Sequence, residues 1–315
     1  MSVAAQFNEA KQTAVVFKMP GRVLVEFTGA DRQRFLHNFC TNDINNLAVN
    51  TGCEAIFTNI KARALGHGFV FAGESSHWLE TVGDGLDDLL KHLDKYLITD
   101  DVEITRRDEL QQILVTGPMA VERVAVALQV TDPPAPLSQV AAGDLWVRRV
   151  DCLDQPGILI AGTETAIAAA IEELANAGAS LGDAATYEAL RLQAGFPHYG
   201  TDVTEDHLAP EVGRVKKTIS YRKGCYLGQE PIARIDALGH VNKSLRPVEI
   251  SGSEPPAAGS SVSSADGEDA GTTVSSVKDP SSDDRCFALA WIKSAHTAAG
   301  TELKLDDRTV TVRGE

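Results

Sequence analysis

GRVLVEFTGADRQRFLHNF, residues 21–39, reads as a strand that turns directly into a helix. Val23, Val25 and Phe27 alternate along one face, the period of a half-buried strand, and Gly29 ends it. From Ala30 the apolar period lengthens, so that Phe35, Leu36 and Phe39 cover one side of a short helix. Outward from this pair the mixture continues. FTNIKARALGHGFVF (57–71) reads as a hairpin and SHWLETV (76–82) as a further strand. DGLDDLLKHLDKYL (84–97) is helical, with Leu86, Leu89, Leu90, Leu93 and Leu97 on one stripe. Asp84, Asp87 and Asp88 fall in its first turns, where a helix terminus favours negative charge. VEITRR and QQILVTG follow as strands, giving an α+β pattern rather than a steady βαβ alternation.

The prolines of TDPPAPLSQVAAGD (131–144) mark a loop or linker. LWVRRV and GILIAG read as strands, TAIAAAIEELANAG as a helix closed by Gly178, and DAATYEALRLQAG as a helix capped by Asp183 and ended by Gly195. Residues 251–284 are rich in Gly, Ser and Pro, as a disordered segment would be. Strand-like pieces flank that stretch (VEI, TTVSSV) and follow it (CFALAWI, ELKLDD, TVTVRG), so the C-terminal part reads as a small all-β domain with long turns.

The 315-residue chain carries 44 acidic and 29 basic residues, a formal charge of -15. That balance favours solubility and argues against strong direct binding of nucleic acid, while leaving room for a local basic pocket. Neither a signal peptide nor a run of eighteen apolar residues is read, so a cytoplasmic, non-membrane protein is expected. The five cysteines (40, 53, 152, 225 and 286) lack C-x-x-C spacing, and no metal site is assigned. His37 and Cys40 share a helix face, but Cys40 beside Phe39 reads as core. No Walker loop and no nucleophile elbow is present.

Two constellations carry chemistry. In YRKGCYLGQEPIAR (221–234), Cys225 lies between Gly224 and Gly228, with Arg222 and Lys223 close enough in sequence to favour a thiolate if they are near in space. A buried, inert cysteine is the competing reading. Gln229, Glu230 and Arg234 are either a helix start with an i,i+4 pair or recognition groups for a planar heterocycle or carboxylates. In RLQAGFPHYGTD (191–202), Gln193 offers a donor and an acceptor and Tyr199 can stack, while His198 and the nearby His207 are possible bases near neutral pH.

The stretch KGCYLGQEPIAR resembles the K-G-C-Y-x-G-Q-E signature of the YgfZ-type folate-binding proteins, relatives of the glycine cleavage T-protein (aminomethyltransferase). VLVEFTGADRQRFLHNFCTNDINNL, LRLQAGFPHYGTDV and AGTTVSS with FALAWI are similar to other family segments, so the resemblance runs over roughly residues 15 to 310. It implies a T-protein-like three-domain α+β ring with a ferredoxin-like middle part and a small C-terminal β-barrel. Residues 1–240 would be the folate-binding region, in two α+β subdomains bounded near 50 and 130–145, and residues 241–315 the barrel. It further implies tetrahydrofolate or a derivative as cofactor, and a role in iron–sulfur cluster assembly or repair with an indirect effect on tRNA modification. Partners would be iron–sulfur proteins or cluster-assembly factors.

Carried over by motif position, Gln193 stands where T-proteins have the pterin-reading glutamate, and Asp88 is the nearest match to their aspartate, with the alignment slipping by one residue. Gln193, Tyr199, Arg222, Lys223, Gln229, Glu230 and Arg234 are the expected folate contacts, and Cys225 and Asp88 the expected catalytic groups. A folate-dependent aminomethyltransferase and an interaction module without folate remain alternatives. Catalysis of a one-carbon transfer and passive scaffolding are both left open.

Overall fold

The computed structural model describes residues 1–19 and 21–314. Its elements run α1 (Val3–Ala10), β1 (Val15–Lys18), β2 (Arg22–Thr28), α2 (Arg32–Phe39), β3 (Gly52–Thr58), β4 (Ala64–Ala72) and β5 (His77–Val82). Then come α3 (Leu86–Asp94), β6 (Glu103–Arg106), β7 (Leu110–Thr116), α4 (Ala120–Ala127), β8 (Gln139–Ala142), β9 (Leu145–Arg149) and β10 (Gly157–Thr163). They are followed by α5 (Glu164–Asn176), β11 (Ser180–Leu181), α6 (Ala184–Ala194), α7 (Val215–Thr218) and α8 (Gln229–Leu238). The barrel strands are β12 (Lys243–Ser251), β13 (Ser261–Ser263), β14 (Asp269–Lys278), β15 (Arg285–Lys293), β16 (Glu302–Leu305) and β17 (Arg308–Val312).

Among the described residues the strands form three sheets. The first has the order β3-β4-β5-β2-β6, and α2 and α3 bury Phe35, Leu36, Leu89 and Leu93 against Val25, Phe27, Val70 and Leu79 on one of its faces. The second has the order β11-β1-β7-β10-β9-β8, with α4 and α5 packed on Val16, Ile113, Val115, Ile158 and Ile160. The third is a closed barrel, β12-β15-β14-β13-β16-β17. The remaining sheet faces meet the barrel and α6 in one shared core, to which Phe17, Leu24, Phe69, Trp78, Leu159, Phe196 and Phe287 all contribute. Arg148 on β9 is fully buried there, its guanidinium lying over the rings of Phe71, Trp78 and Trp146.

The strand and helix of residues 21–39 form as expected, and the α+β class with a C-terminal barrel holds. Sheet membership divides the chain elsewhere than near residue 50 and at 130–145. β2 and β3 on either side of residue 50 belong to one sheet, and β8 inside the proline-rich stretch pairs with β9. The prolines lie in the link from α4 to β8, both of which belong to the second sheet layer. α1, β1 and α4 were not expected. β1 is four residues long and exists through long-range pairing with β7 and β11, which local periodicity does not report. The serine- and glycine-rich segment is ordered by the barrel itself, where Val248 pairs with Val312 to close it. No helix among the described residues is long and apolar enough to cross a membrane.

Candidate functional site

A cavity of about 480 Å³ opens between the first two sheets and the N-terminus of α6. That lies within the roughly 300–1,000 Å³ of small-molecule sites. Its apolar wall is built by Phe17 in β1, by Met19 just after it, and by Tyr187 and Tyr199. The rings of Phe17 and Tyr187 lie 5.8 Å apart. α6 is fixed at its start by Asp183, whose carboxylate accepts the Thr186 amide at 2.8 Å, and by Gln6 of α1, which takes the Asp183 amide and the Thr186 hydroxyl. Helical spacing then turns Asp183, Ala184 and Tyr187 to the cavity.

Two left-handed glycines bring the far wall in. A Cβ on Gly85 (φ +72°) would stand 2.4 Å from the Tyr199 ring, and one on Gly200 (φ +91°) 2.5 Å from the Asp84 side chain. Only glycine permits this interlock of the β5–α3 turn with the loop after α6. The result sets the Asp84 carboxylate at the cavity and points the Tyr199 hydroxyl to the Ala64 carbonyl, 3.1 Å away.

Charge in the cavity is tightly held. Arg22 forms a two-pronged ion pair with buried Glu80. Burial works to discharge the guanidinium, but Glu80 outweighs it and keeps Arg22 charged. Lys18 is exposed at the rim. His198 Nε2 lies 3.1 Å from the Tyr187 hydroxyl, and burial, followed by the nearby Arg191 and Arg22 charges, pushes its pKa down to about 2. His198 is therefore neutral near pH 7 and is not the base its unperturbed pKa suggested. Burial also raises the Tyr199 phenol to about 12, so it stays protonated. His207 lies elsewhere, stacked on Trp291 with ring centroids 3.9 Å apart.

The structure brings only part of the expected set to this cavity. Tyr199 is there. Gln193 is not among the lining residues, and its backbone carbonyl accepts from Arg313 at the end of the barrel. Asp88 is exposed on α3 and pairs with Lys91 at 3.4 Å. Asp84, four residues earlier, is the residue before α3 that lines the cavity, alongside Asp183 of the α6 cap; the flanking glycines of VGDG were the signal for it. Tyr187 read only as part of a helix, and Phe17 and Met19 lie in a segment to which the sequence reading assigned no element.

The KGCY segment forms a second, separate feature, seated on the end of α2. Lys223 is 6% exposed, and its ammonium donates to the carbonyls of His37, Cys40 and Asn42 at 2.6, 2.7 and 2.8 Å. The first two are carbonyls that the end of α2 leaves without helical partners, and Asn42 lies in the turn just beyond. All three donors of Lys223 are thus used, and none is left for a ligand. The Leu227 amide donates to Asn38, the Thr58 hydroxyl donates to the Leu227 carbonyl, and a Cβ on Gly228 (φ +90°) would meet the Asn59 carbonyl at 2.6 Å. Held at both ends, the loop presents Cys225 outward. Among the described residues Cys225 is the one exposed cysteine, which removes the buried-core reading, and the other four are buried. His37 Nδ1 accepts the Asn45 amide, so the neutral ring carries its proton on Nε2, 3.6 Å from where a Cβ on Gly224 would stand. Gln229 opens α8 with Pro231 in its first turn, as expected. Arg222, Glu230 and Arg234 are exposed, and no ion pair joins Glu230 to Arg234 among the described residues.

Comparison with known proteins agrees with this architecture. Residues 1–223 match the family described as GCVT N-terminal domain. The chain is 28% identical over 246 residues to the tRNA-modifying protein YgfZ of Yersinia enterocolitica, covering 75% of this chain and 71% of that one. It is 27% identical over 252 residues to the protein of the same description from Colwellia psychrerythraea, covering 75% and 74%. The glycine cleavage system aminomethyltransferase T of Bartonella henselae superposes with a TM-score of 0.88 at 17% identity, over 100% of this chain and 88% of that one. At that identity the likeness is one of fold.

Proposed function

The chain belongs to the GCVT N-terminal domain family, and from that premise we propose that it binds a tetrahydrofolate in the cavity beside α6 and acts, through Cys225, in iron–sulfur maintenance that supports tRNA modification. The observation that carries the folate part is the cavity itself: planar apolar walls from Phe17, Tyr187 and Tyr199, with a carboxylate, Asp84, at one edge. A pterin offers a flat ring and an amidine edge of N–H donors, which a carboxylate pairs with in two-pronged fashion. The residues present fit that group. A bound reduced folate would supply the one-carbon chemistry; the chain's own residues orient the ring, screen it from water and hold His198 neutral beside it. Relatives described as tRNA-modifying support the process, and the exposed Cys225 on a rigid loop supports contact with a cytoplasmic iron–sulfur partner. Exposure of Asp88 counts against T-protein chemistry at that residue.

The test is anaerobic calorimetric titration with tetrahydrofolate and 5-formyltetrahydrofolate on wild type, Asp84→Asn and Gln193→Ala. Binding that weakens about tenfold (about 1.4 kcal/mol) in Asp84→Asn and holds in Gln193→Ala supports the cavity. The reverse pattern moves the pterin to the C-terminal end of α6. No binding by wild type ends the folate reading and leaves the KGCY loop as a protein-docking surface. For the second half, thiolated tRNA nucleosides are measured by mass spectrometry in cells relying on Cys225→Ser; undiminished thiolation would refute the thiol's role.

A further inference from the structure

A small pocket of about 120 Å³ lies where the β9–β10 turn, the end of α6, the start of α7 and barrel strand β12 meet. It shares no lining residue with the cavity beside α6. Its volume is well below the roughly 300–1,000 Å³ of organic-ligand sites, which suits a small ion or a single charged group. Two left-handed glycines close it. A Cβ on Gly195 (φ +69°) would stand 3.0 Å from Pro247, and one on Gly213 (φ +82°) 2.3 Å from the Leu245 carbonyl. Only glycine lets α6 and the turn before α7 approach β12 this closely.

Three cations line the pocket: Arg214, Lys216 and Lys217. Arg214 is held in place before any ligand arrives. Its Nε and Nη2 grip the Glu54 carboxylate, which also pairs with His67 Nε2 at 2.7 Å, and its guanidinium lies over the Phe196 ring at 4.9 Å. Burial works to discharge the guanidinium, but Glu54 outweighs it. Nη1 makes no hydrogen bond among the described residues and is not sealed from solvent. Lys216 and Lys217 are exposed and form no ion pair among the described residues. Asp154 is the one carboxylate in the lining. With Glu54 set against Arg214 and Asp154 against one lysine, a positive charge is left over, on a chain of formal charge -15. The carbonyl end of α6 does not offset it: the Arg191, Leu192 and Gln193 carbonyls already accept from Phe196, Gly195 and Arg313.

We propose that this pocket binds a phosphate-class oxyanion, either inorganic phosphate or the phosphate group of a larger molecule. A fixed guanidinium edge and two mobile ammonium groups match an anion that offers several oxygens at once. The site stands independently of the folate reading. Its occupant joins α7 to the end of α6 and to the barrel. It also bears on the Cys225 loop, because the Lys217 carbonyl accepts from Asn42 Nδ2 at 3.0 Å and the Asn42 carbonyl accepts from Lys223 at 2.8 Å. An anion that fixes Lys217 steadies the corner on which that loop is seated.

Calorimetric titration of the full chain with inorganic phosphate tests this, with chloride at matched ionic strength as the control. The proteins are wild type, a double variant carrying Lys216→Gln and Lys217→Gln, and Asp154→Asn. Wild type should bind one phosphate per chain, and its Tm should rise with phosphate but not with chloride. The double variant should bind at least about tenfold more weakly. Its Tm without phosphate should stay within about 2 °C of wild type, since both lysines are exposed. Asp154→Asn should bind about two- to fivefold more tightly, because it removes the one opposing carboxylate, a gain that a merely structural role would not produce. Glycerol 3-phosphate binding more tightly than inorganic phosphate would identify the phosphate of a larger molecule as the occupant, and the reverse order the free anion; both support the site. No saturable binding of either, an equal response to chloride, or an affinity unchanged in the double variant overturns the inference.

Discussion

Replacing Lys223 by methionine separates a structural cation from a ligand-binding one. Its ammonium makes three charge-assisted hydrogen bonds of 2.6–2.8 Å to carbonyls at the end of α2, in a site 6% exposed. Burial lowers its pKa, a sign that desolvating the charge opposes the bonds it makes. Hydrogen bonds to charged groups contribute about 1.5–3 kcal/mol each, so three give a gross loss of roughly 4–9 kcal/mol. Methionine keeps the stem and recovers part of the several kcal/mol of ammonium desolvation, leaving a net destabilisation of about 3 kcal/mol. For a chain of this size that is a fall in Tm of about 6–12 °C. Thermal unfolding followed by circular dichroism measures it, and folate titration at a temperature where the variant is folded measures the rest. The expectation is a large loss of stability with unchanged folate affinity. A Tm within about 2 °C of wild type, together with lost folate affinity, would refute the capping role and return Lys223 to the ligand.

Three other outcomes are expected. His198 is neutral in the fold with a pKa of about 2, against about 6.5 unfolded, so the unfolded chain binds the extra proton. Its contribution is fully present above pH 6.5 and is lost as pH falls toward 2, at up to about 1.4 kcal/mol per pH unit. His198→Gln should therefore flatten the stability profile between pH 6.5 and 4.5 in urea denaturation, and parallel profiles would refute the assignment. Cys225 should be the one thiol that reacts rapidly with an aromatic disulfide in the native protein, and Cys225→Ser should remove that phase while changing stability by no more than about 0.5 kcal/mol. Gly85→Ala forces a Cβ to within 2.4 Å of the Tyr199 ring at φ +72°. It should cost about 1–3 kcal/mol and weaken cavity binding together, so a stable variant with full affinity would contradict the interlock.

What was legible in the sequence was what short-range physics encodes. Alternation of Val23, Val25 and Phe27 made β2, the leucine stripe made α3, and Asp183 and Gly195 set the two ends of α6, because each depends on neighbours a few residues away. The KGCY segment was equally visible as a special loop, since Gly228 is required where the chain passes the Asn59 carbonyl. The cavity was not visible. Its walls come from residues 17–19, 21, 22, 82, 84, 181–184, 187, 198 and 199, which meet only after the first two sheets and α6 have packed. Nor could the sequence say that Lys223 points into α2 while Cys225 points out, that Asp84 and not Asp88 faces the cavity, or that Arg214, Lys216 and Lys217 line one pocket. Side-chain direction, desolvation and hydrogen-bond satisfaction are properties of the packed environment. The sequence by itself determined the family and those elements that local periodicity and capping encode, while tertiary packing made β1 and decided which residues share a site.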